Sequence, residues 1–195
     1  MMNSKQFFFT LLFVVLSVNI NAQDTNVWDI DKSHSSISFS ISHFKIATIK
    51  GNFKDFSGTI TSKNDDFTKG EVNVVIKTAS INTNQEARDK HLRSADFFNA
   101  EVNPEITFKS TSIEKKSEKE YVVKGNLTVN GITKEFEFIG DYKGSFVHPR
   151  FKKTIAVFNF SGVLPRLDYK IGEKFPTAAM GGDVAISINL ELTKK

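Results

Sequence analysis

Apolar and polar residues alternate one by one in about eight short segments between Trp28 and Leu192, and this pattern constrains the chain more than any other feature. In an extended strand successive side chains point to opposite faces, so each segment has one greasy face and one wet face. Many such segments in a row hide their greasy faces only in a sandwich or a closed barrel. The clearest runs from Ser35 to His43: Ile37, Phe39 and Ile41 lie on one side, Ser36, Ser38, Ser40 and Ser42 on the other. Asp183 to Leu192 alternates as strictly, with Val184, Ile186, Ile188, Leu190 and Leu192 together.

Further segments are Glu71 to Lys77 (Val72, Val74, Ile76), Glu105 to Ser112 (Ile106, Phe108), Tyr121 to Val129 (Tyr121, Val123, Leu127), Thr133 to Tyr142 (Phe136, Phe138) and Thr154 to Val163 (Ala156, Phe158, Phe160). Trp28 to Ile30 reads as a short lead-in strand. Ile49 to Thr61 reads as one strand whose change of parity between Phe53 and Phe56 predicts a bulge. Gly125 predicts a kink. Asn130-Gly131 predicts a two-residue hairpin, because both turn positions need positive φ.

One stretch breaks the pattern. Thr83 to Arg93 is built of helix formers, and Thr83 with Glu86 has capping-box spacing, which predicts a helix from Asn84 to Arg93 with an Asp89–Arg93 surface pair. Leu92, Phe97 and Phe98 would dock it. Leu164 to Gly182, with Pro165, Gly172, Pro176 and Gly181-Gly182, predicts a loop long enough to be a functional cover.

The N-terminus has the form of a secretory signal peptide: Lys5, an apolar run from Phe7 to Leu16 broken only by Thr10, and small residues ending at Ala22. Cleavage after Ala22 is expected, leaving residues 23–195 as a single periplasmic domain. The run is too short for a comfortable membrane span, so no stable membrane insertion is expected. The absence of cysteine excludes disulfides, thiolate metal sites and lipid attachment through a lipobox. A net charge of +4, with both signs interspersed, argues against a nucleic-acid partner.

In this setting an ordered set of motifs stands out. It comprises Trp28-Asp29-Ile30-Asp31-Lys32-Ser33-His34-Ser35, Gly51-Asn52-Phe53, Arg88-Asp89-Lys90-His91-Leu92-Arg93-Ser94-Ala95-Asp96-Phe97-Phe98, Pro104-Glu105-Ile106-Thr107-Phe108-Lys109-Ser110 and Gly125-Asn126-Leu127-Thr128-Val129-Asn130-Gly131. With them the chain, over essentially all of its length after the signal, resembles the YceI-like family of exported bacterial proteins. The resemblance implies an all-β fold: an eight-stranded antiparallel lipocalin-like barrel with one short helix covering one end. It implies binding of a long-chain isoprenoid lipid inside the barrel, no cofactor and no catalytic residues. The family often has Pro after the hairpin Thr-Lys, where this chain has Glu135.

A polyisoprenoid offers no charge to grip and needs a dry apolar tube. Ile37, Phe39, Ile41, Val72, Val74, Ile76, Ile106, Phe108, Val123, Phe136, Phe138, Phe158, Phe160, Ile186 and Ile188 supply one if their faces turn inward. Alternation alone fits a filled β core as readily. Arg88, His91, Arg166, Asp168 and Tyr169 are candidates for a polar pocket mouth, with helix docking as the competing reading for the first two. The four histidines, His34, His43, His91 and His148, form no i,i+4 or H-x-H pair, so no metal site is expected. No G-x-S-x-G elbow and no glycine-rich phosphate loop is present, which argues against an enzyme. The rival to a periplasmic lipid carrier is a packed barrel acting as a stress-response or interaction protein without a lipid. A homodimer is left open.

Overall fold

The computed structural model describes residues 25–63 and 65–195; the expected signal peptide and its cleavage point lie outside them. Eleven strands and one α-helix follow in the order β1 (Thr25–Ile30), β2 (Ser36–His43), β3 (Ala47–Phe53), β4 (Phe56–Lys63), β5 (Val72–Lys77), β6 (Ile81–Asn82), α1 (Glu86–Arg93), β7 (Glu105–Lys115), β8 (Glu120–Val129), β9 (Ile132–Val147), β10 (Thr154–Pro165) and β11 (Met180–Lys194).

All the pairings between these strands are antiparallel, and together they close an eight-position barrel. The first three positions are each split into two pieces lying end to end. Along β11, β1 pairs with Leu192–Lys194 and β2 with Val184–Asn189. Beside them β4 pairs with β1 and β3 with β2. Next come β5 on β4 and β6 on β3. The long strands β7 to β11 complete the ring.

This arrangement corrects the reading of Ile49 to Thr61. The parity change is a break, not a bulge: Phe53 ends β3 and Phe56 begins β4. The connection is fixed by Lys54 N–H donating to Ser80 O (3.1 Å) and Lys77 N–H donating to Asp55 O (2.9 Å). The irregularity expected at Gly125 falls in the neighbouring strand, where β7 shifts register between Ser110 and Ser112. A Cβ on Gly125 would lie 2.4 Å from Lys109 O, so the close approach of the two backbones is what requires glycine there. The Asn130-Gly131 hairpin forms as read, with φ of 51° and 74°.

The helix is shorter than expected and is capped differently. It starts at Glu86, and Gln85 Oε1 accepts from Arg88 N–H at 2.6 Å. The carboxylate that reaches back to Thr83 N–H is Asp89 (2.9 Å), not Glu86. Arg93 therefore pairs with Glu86 (3.3 Å) instead of Asp89. No pairing is found between β6 and β7 among the described residues; Leu92, Phe97 and Phe98 of the helical segment pack into the core and line its interior.

Candidate functional site

The inward faces of the strands enclose a cavity of about 200 Å³, and its wall presents no polar surface. At one end a floor of aromatic rings closes it. Trp28 packs on Phe67 (5.2 Å between ring centroids), Phe67 on Phe158 (5.1 Å), and Tyr121 and Tyr142 on Phe158 (5.7 and 4.8 Å). At the other end the roof consists of α1, the turns after it, and the segment from Arg166 to Ala179. There Phe97 stacks on Phe175 at 5.2 Å, and His91 meets both rings edge-on.

The apolar residues expected to form the tube all line this cavity, with the exception of Phe136. Phe136 is buried against Phe138 (4.7 Å) over Gly162, beside the wall instead of in it. The wall also contains residues that periodicity did not single out. Phe67 lies in a short 3-10 turn, Phe97 and Phe98 follow the helix, and Ile171 and Met180 come from the roof and its border. Only the density of apolar residues in otherwise polar turns could have flagged them.

Of the five residues considered for a polar mouth, Arg88, His91, Arg166 and Asp168 have other partners and Tyr169 is buried. Arg88 donates through Nε to Thr83 Oγ1 (2.7 Å) and through a terminal nitrogen to Thr83 O (2.9 Å). His91 Nε2 lies 3.2 Å from Asp96 Oδ2. The Lys174 ammonium, which hydrogen-bonds Asp96 (2.6 Å), and His91 after it hold that carboxyl below its ordinary range. Asp168 pairs outward with Lys134 at 3.1 Å. Tyr169 is buried, and its phenol is pushed up by burial and then by Asp168.

Arg166 borders the cavity only with carbon, since the wall is wholly apolar. Its guanidinium is fully buried, and all five N–H groups donate to backbone carbonyls: Nε to Gly181 (2.7 Å), one terminal nitrogen to Ile171 (2.9 Å) and Gly172 (2.8 Å), the other to Phe175 (2.7 Å) and Met180 (3.0 Å). Burial lowers its pKa from the ordinary value. The residue is the hub around which the roof segment is folded, and it has no donor left for a ligand.

Asn130 joins the same end together. Its Oδ1 accepts from Asn103 Nδ2 (2.9 Å), and its own Nδ2 donates to Tyr169 O (3.2 Å). One group of side chains with metal-ligand chemistry converges among the described residues, Asp31, His34 and Glu191. It lies outside the cavity, and His34 Nδ1 is already 2.9 Å from Asp31 Oδ2. Among the described residues, no arrangement of nucleophile, base and oxyanion donor faces the apolar space.

A closed antiparallel barrel around a wholly apolar cavity defines a class: a barrel of the lipid-binding type. Comparison with known proteins narrows it, because the chain belongs to the YceI-like family, whose domain matches residues 28–192. A UPF0312 protein of Serratia proteamaculans is 49% identical over 163 residues, covering 83% of this chain and 84% of that one. Protein YceI of Escherichia coli O157:H7 is 36% identical over 180 residues, covering 91% and 93%. The crystal structure of a Campylobacter jejuni YceI protein superposes with a TM-score of 0.72 at 31% identity, covering 85% of this chain and 96% of that one. A polyisoprenoid-binding domain from Saccharophagus degradans shares the fold, with a TM-score of 0.64 at 14% identity over 86% and 98% of the two chains.

Proposed function

We propose that the protein is a non-catalytic periplasmic carrier that holds a long apolar polyisoprenoid, of quinone-like or prenyl-lipid type, inside the barrel. The observation that carries this reading is the cavity itself: about 200 Å³ with no polar surface on its wall. An apolar cavity of about 150 Å³ stays dry and takes a benzene-sized molecule, so this one accepts hydrocarbon without having to expel water. Burying an isoprene unit of about five carbons gains up to ~4 kcal/mol at ~0.8 kcal/mol per methylene, so a few units outweigh the cost of association. Affinity therefore needs no special side chain, in keeping with a mouth whose polar groups bond to one another. A chain of many units exceeds the resting cavity. Its entry would displace the half-buried rings of Phe39, Phe98, Phe160 and Phe175, which pack against the core without being part of its buried centre. The likeness to a polyisoprenoid-binding domain supports the ligand class, and the signal-like N-terminus supports the compartment.

Extraction of the purified protein with organic solvent, followed by mass spectrometry, tests the reading. A co-purifying apolar lipid with isoprene spacing is the expected result. An extract without apolar lipid, from a protein that also fails to bind an added polyprenol, would favour a packed barrel with an interaction role.

A further inference from the structure

The β9–β10 hairpin projects from the floor end of the barrel. The β8–β9 ladder ends at Glu120 with Asp141, whereas β9 and β10 stay paired as far as Val147 with Thr154. Beyond Tyr142 the outer edge of β9 is therefore free, and the ribbon reaches roughly 15–20 Å past β8 at ~3.3 Å per residue, while β10 stays paired with β11 as far as Ile155 with Thr193, so that the turn between Val147 and Thr154 stands clear of both neighbours. The departure begins at a register shift between Val157 and Phe158, opposite the positive φ of Gly144 (125°), which re-aims the ribbon.

This ribbon bears an unusual surface. Phe146, Val147 and Phe151 are exposed by 50%, 60% and 64%. Arg150, Lys152 and Lys153 stand among them, and no acidic residue occurs between Asp141 and Asp168. Among the described residues none of these three cations meets a carboxylate, and Arg150 lies over the Phe151 ring at 5.5 Å. The tip is held in shape: His148 Nδ1 accepts from the N–H of Arg150 (3.2 Å) and of Phe151 (3.3 Å), and Lys152 N–H donates to His148 O (2.8 Å). Single exposed apolar side chains are ordinary, but three on one projecting tip with three unpaired cations are not.

We infer that this tip, Phe146 to Lys153, docks the barrel reversibly on an anionic phospholipid bilayer. Phe and Val need an apolar phase, and the cations need an anionic surface in front of it; the bilayer interface supplies both. A second copy of the chain would bring like charges face to face, and a soluble polyanion offers the rings nothing. Peripheral docking through a hairpin requires no membrane span, and it holds whatever the cavity contains.

Sedimentation with vesicles tests the inference independently of cargo. The exported protein, its N-terminus verified by mass, is mixed with phosphatidylglycerol–phosphatidylethanolamine vesicles or with phosphatidylcholine vesicles. Binding to the anionic vesicles that weakens with salt is expected, with little binding to the zwitterionic ones. Lys152→Glu/Lys153→Glu should lower partitioning roughly tenfold or more, and Phe146→Ser/Phe151→Ser should lower it by a similar factor. Both pairs lie outside the barrel wall, so melting temperature should hold; should a variant unfold, the salt and lipid dependence of the unsubstituted protein still decides. The inference is overturned by absence of binding to anionic vesicles. It is equally overturned if the Phe pair can be removed without effect, which would mean adsorption to any polyanion. A dimer that Phe146→Ser dissolves while vesicle binding is unchanged would make the tip an interface between copies.

Discussion

The indole Nε1–H of Trp28 donates to Ser62 Oγ at 2.9 Å in a site where Trp28 is 1% exposed and Ser62 0%. The bond ties β1 to β4 beneath the cavity, where Trp28 also carries the ring of Phe67. Sequence alternation placed neither partner in a functional role, yet together they close the floor.

Ser62→Ala removes the acceptor and leaves the indole N–H buried without one. A loss of about 1–3 kcal/mol is expected, lowering the melting temperature by about 2–4 °C per kcal/mol for a domain of this size. Trp28 is the single tryptophan of the chain, so its fluorescence follows the transition without a label. An unchanged melting temperature would show that the bond contributes nothing to closure.

Arg166→Lys replaces five donors in a planar fork with three on a point charge, so at least two of the carbonyls of Gly181, Ile171, Gly172, Phe175 and Met180 lose their partner. The expected cost is about 2–5 kcal/mol. Hydrogen exchange should accelerate in the roof segment, residues 166–181, while the β7–β9 ladders keep their protection. Uniform exchange in both proteins would contradict the hub.

Thr78 is 1% exposed, and its Oγ1 has no hydrogen-bond partner among the described residues. Thr78→Val removes a hydroxyl that is desolvated without compensation. Stability should stay level or rise by up to about 1 kcal/mol, read from denaturant unfolding. A clear loss would mean that the hydroxyl is bonded in solution.

The pair formed by Asp31 and His34 makes a pH-dependent contribution. The hydrogen bond that the imidazole donates to Asp31, then the charges of Asp31 and Glu191, raise His34 above its ordinary 6.5. The same hydrogen bond chiefly holds Asp31 below its ordinary 3.8. The His34 contribution is complete below pH 6.5 and fades as pH rises through the elevated value. That of Asp31 is complete above pH 3.8 and fades as pH falls through the lowered one. The imidazole of His34 should titrate above 6.5 by NMR, and Asp31→Asn should bring its midpoint down. Equal midpoints in both proteins would remove the pair from the account.

The strands were legible because alternation is a local signal. Ile37, Phe39 and Ile41 face inward for the reason that Ser38 and Ser40 do not, and a two-residue periodicity carries that information. The hairpin at Asn130-Gly131 was legible through backbone chemistry. What was not legible depends on pairing at a distance. The break between Phe53 and Phe56 exists because β3 lies against β2 while β4 lies against β1. Asp89 replaces Glu86 as the partner of Thr83 because the helix starts only at Glu86, with Gln85 as its cap and Asn84 at a positive φ of 59°, a turn that local spacing does not encode. The polar mouth residues illustrate the same limit. Arg166 has the chemistry of an anion binder, and only the fold of the segment after it shows five carbonyls converging on it. Hollowness is the extreme case, since Val74 and Ile188 would read the same in a filled core as in a cavity wall.

The most direct measurement is the lipid stoichiometry of the protein beside that of a variant whose interior has been filled. Val74 and Ile188 both line the cavity. Val74→Phe/Ile188→Phe adds bulk to the apolar space without adding a polar atom, so the fold should hold while the ligand loses its room. Apolar isoprenoid lipid is expected in the extract of the unsubstituted protein, and a severalfold smaller amount in that of the folded variant. Equal amounts from both, or none from either after exposure to polyprenol, would contradict a carrier that works by its hollow interior.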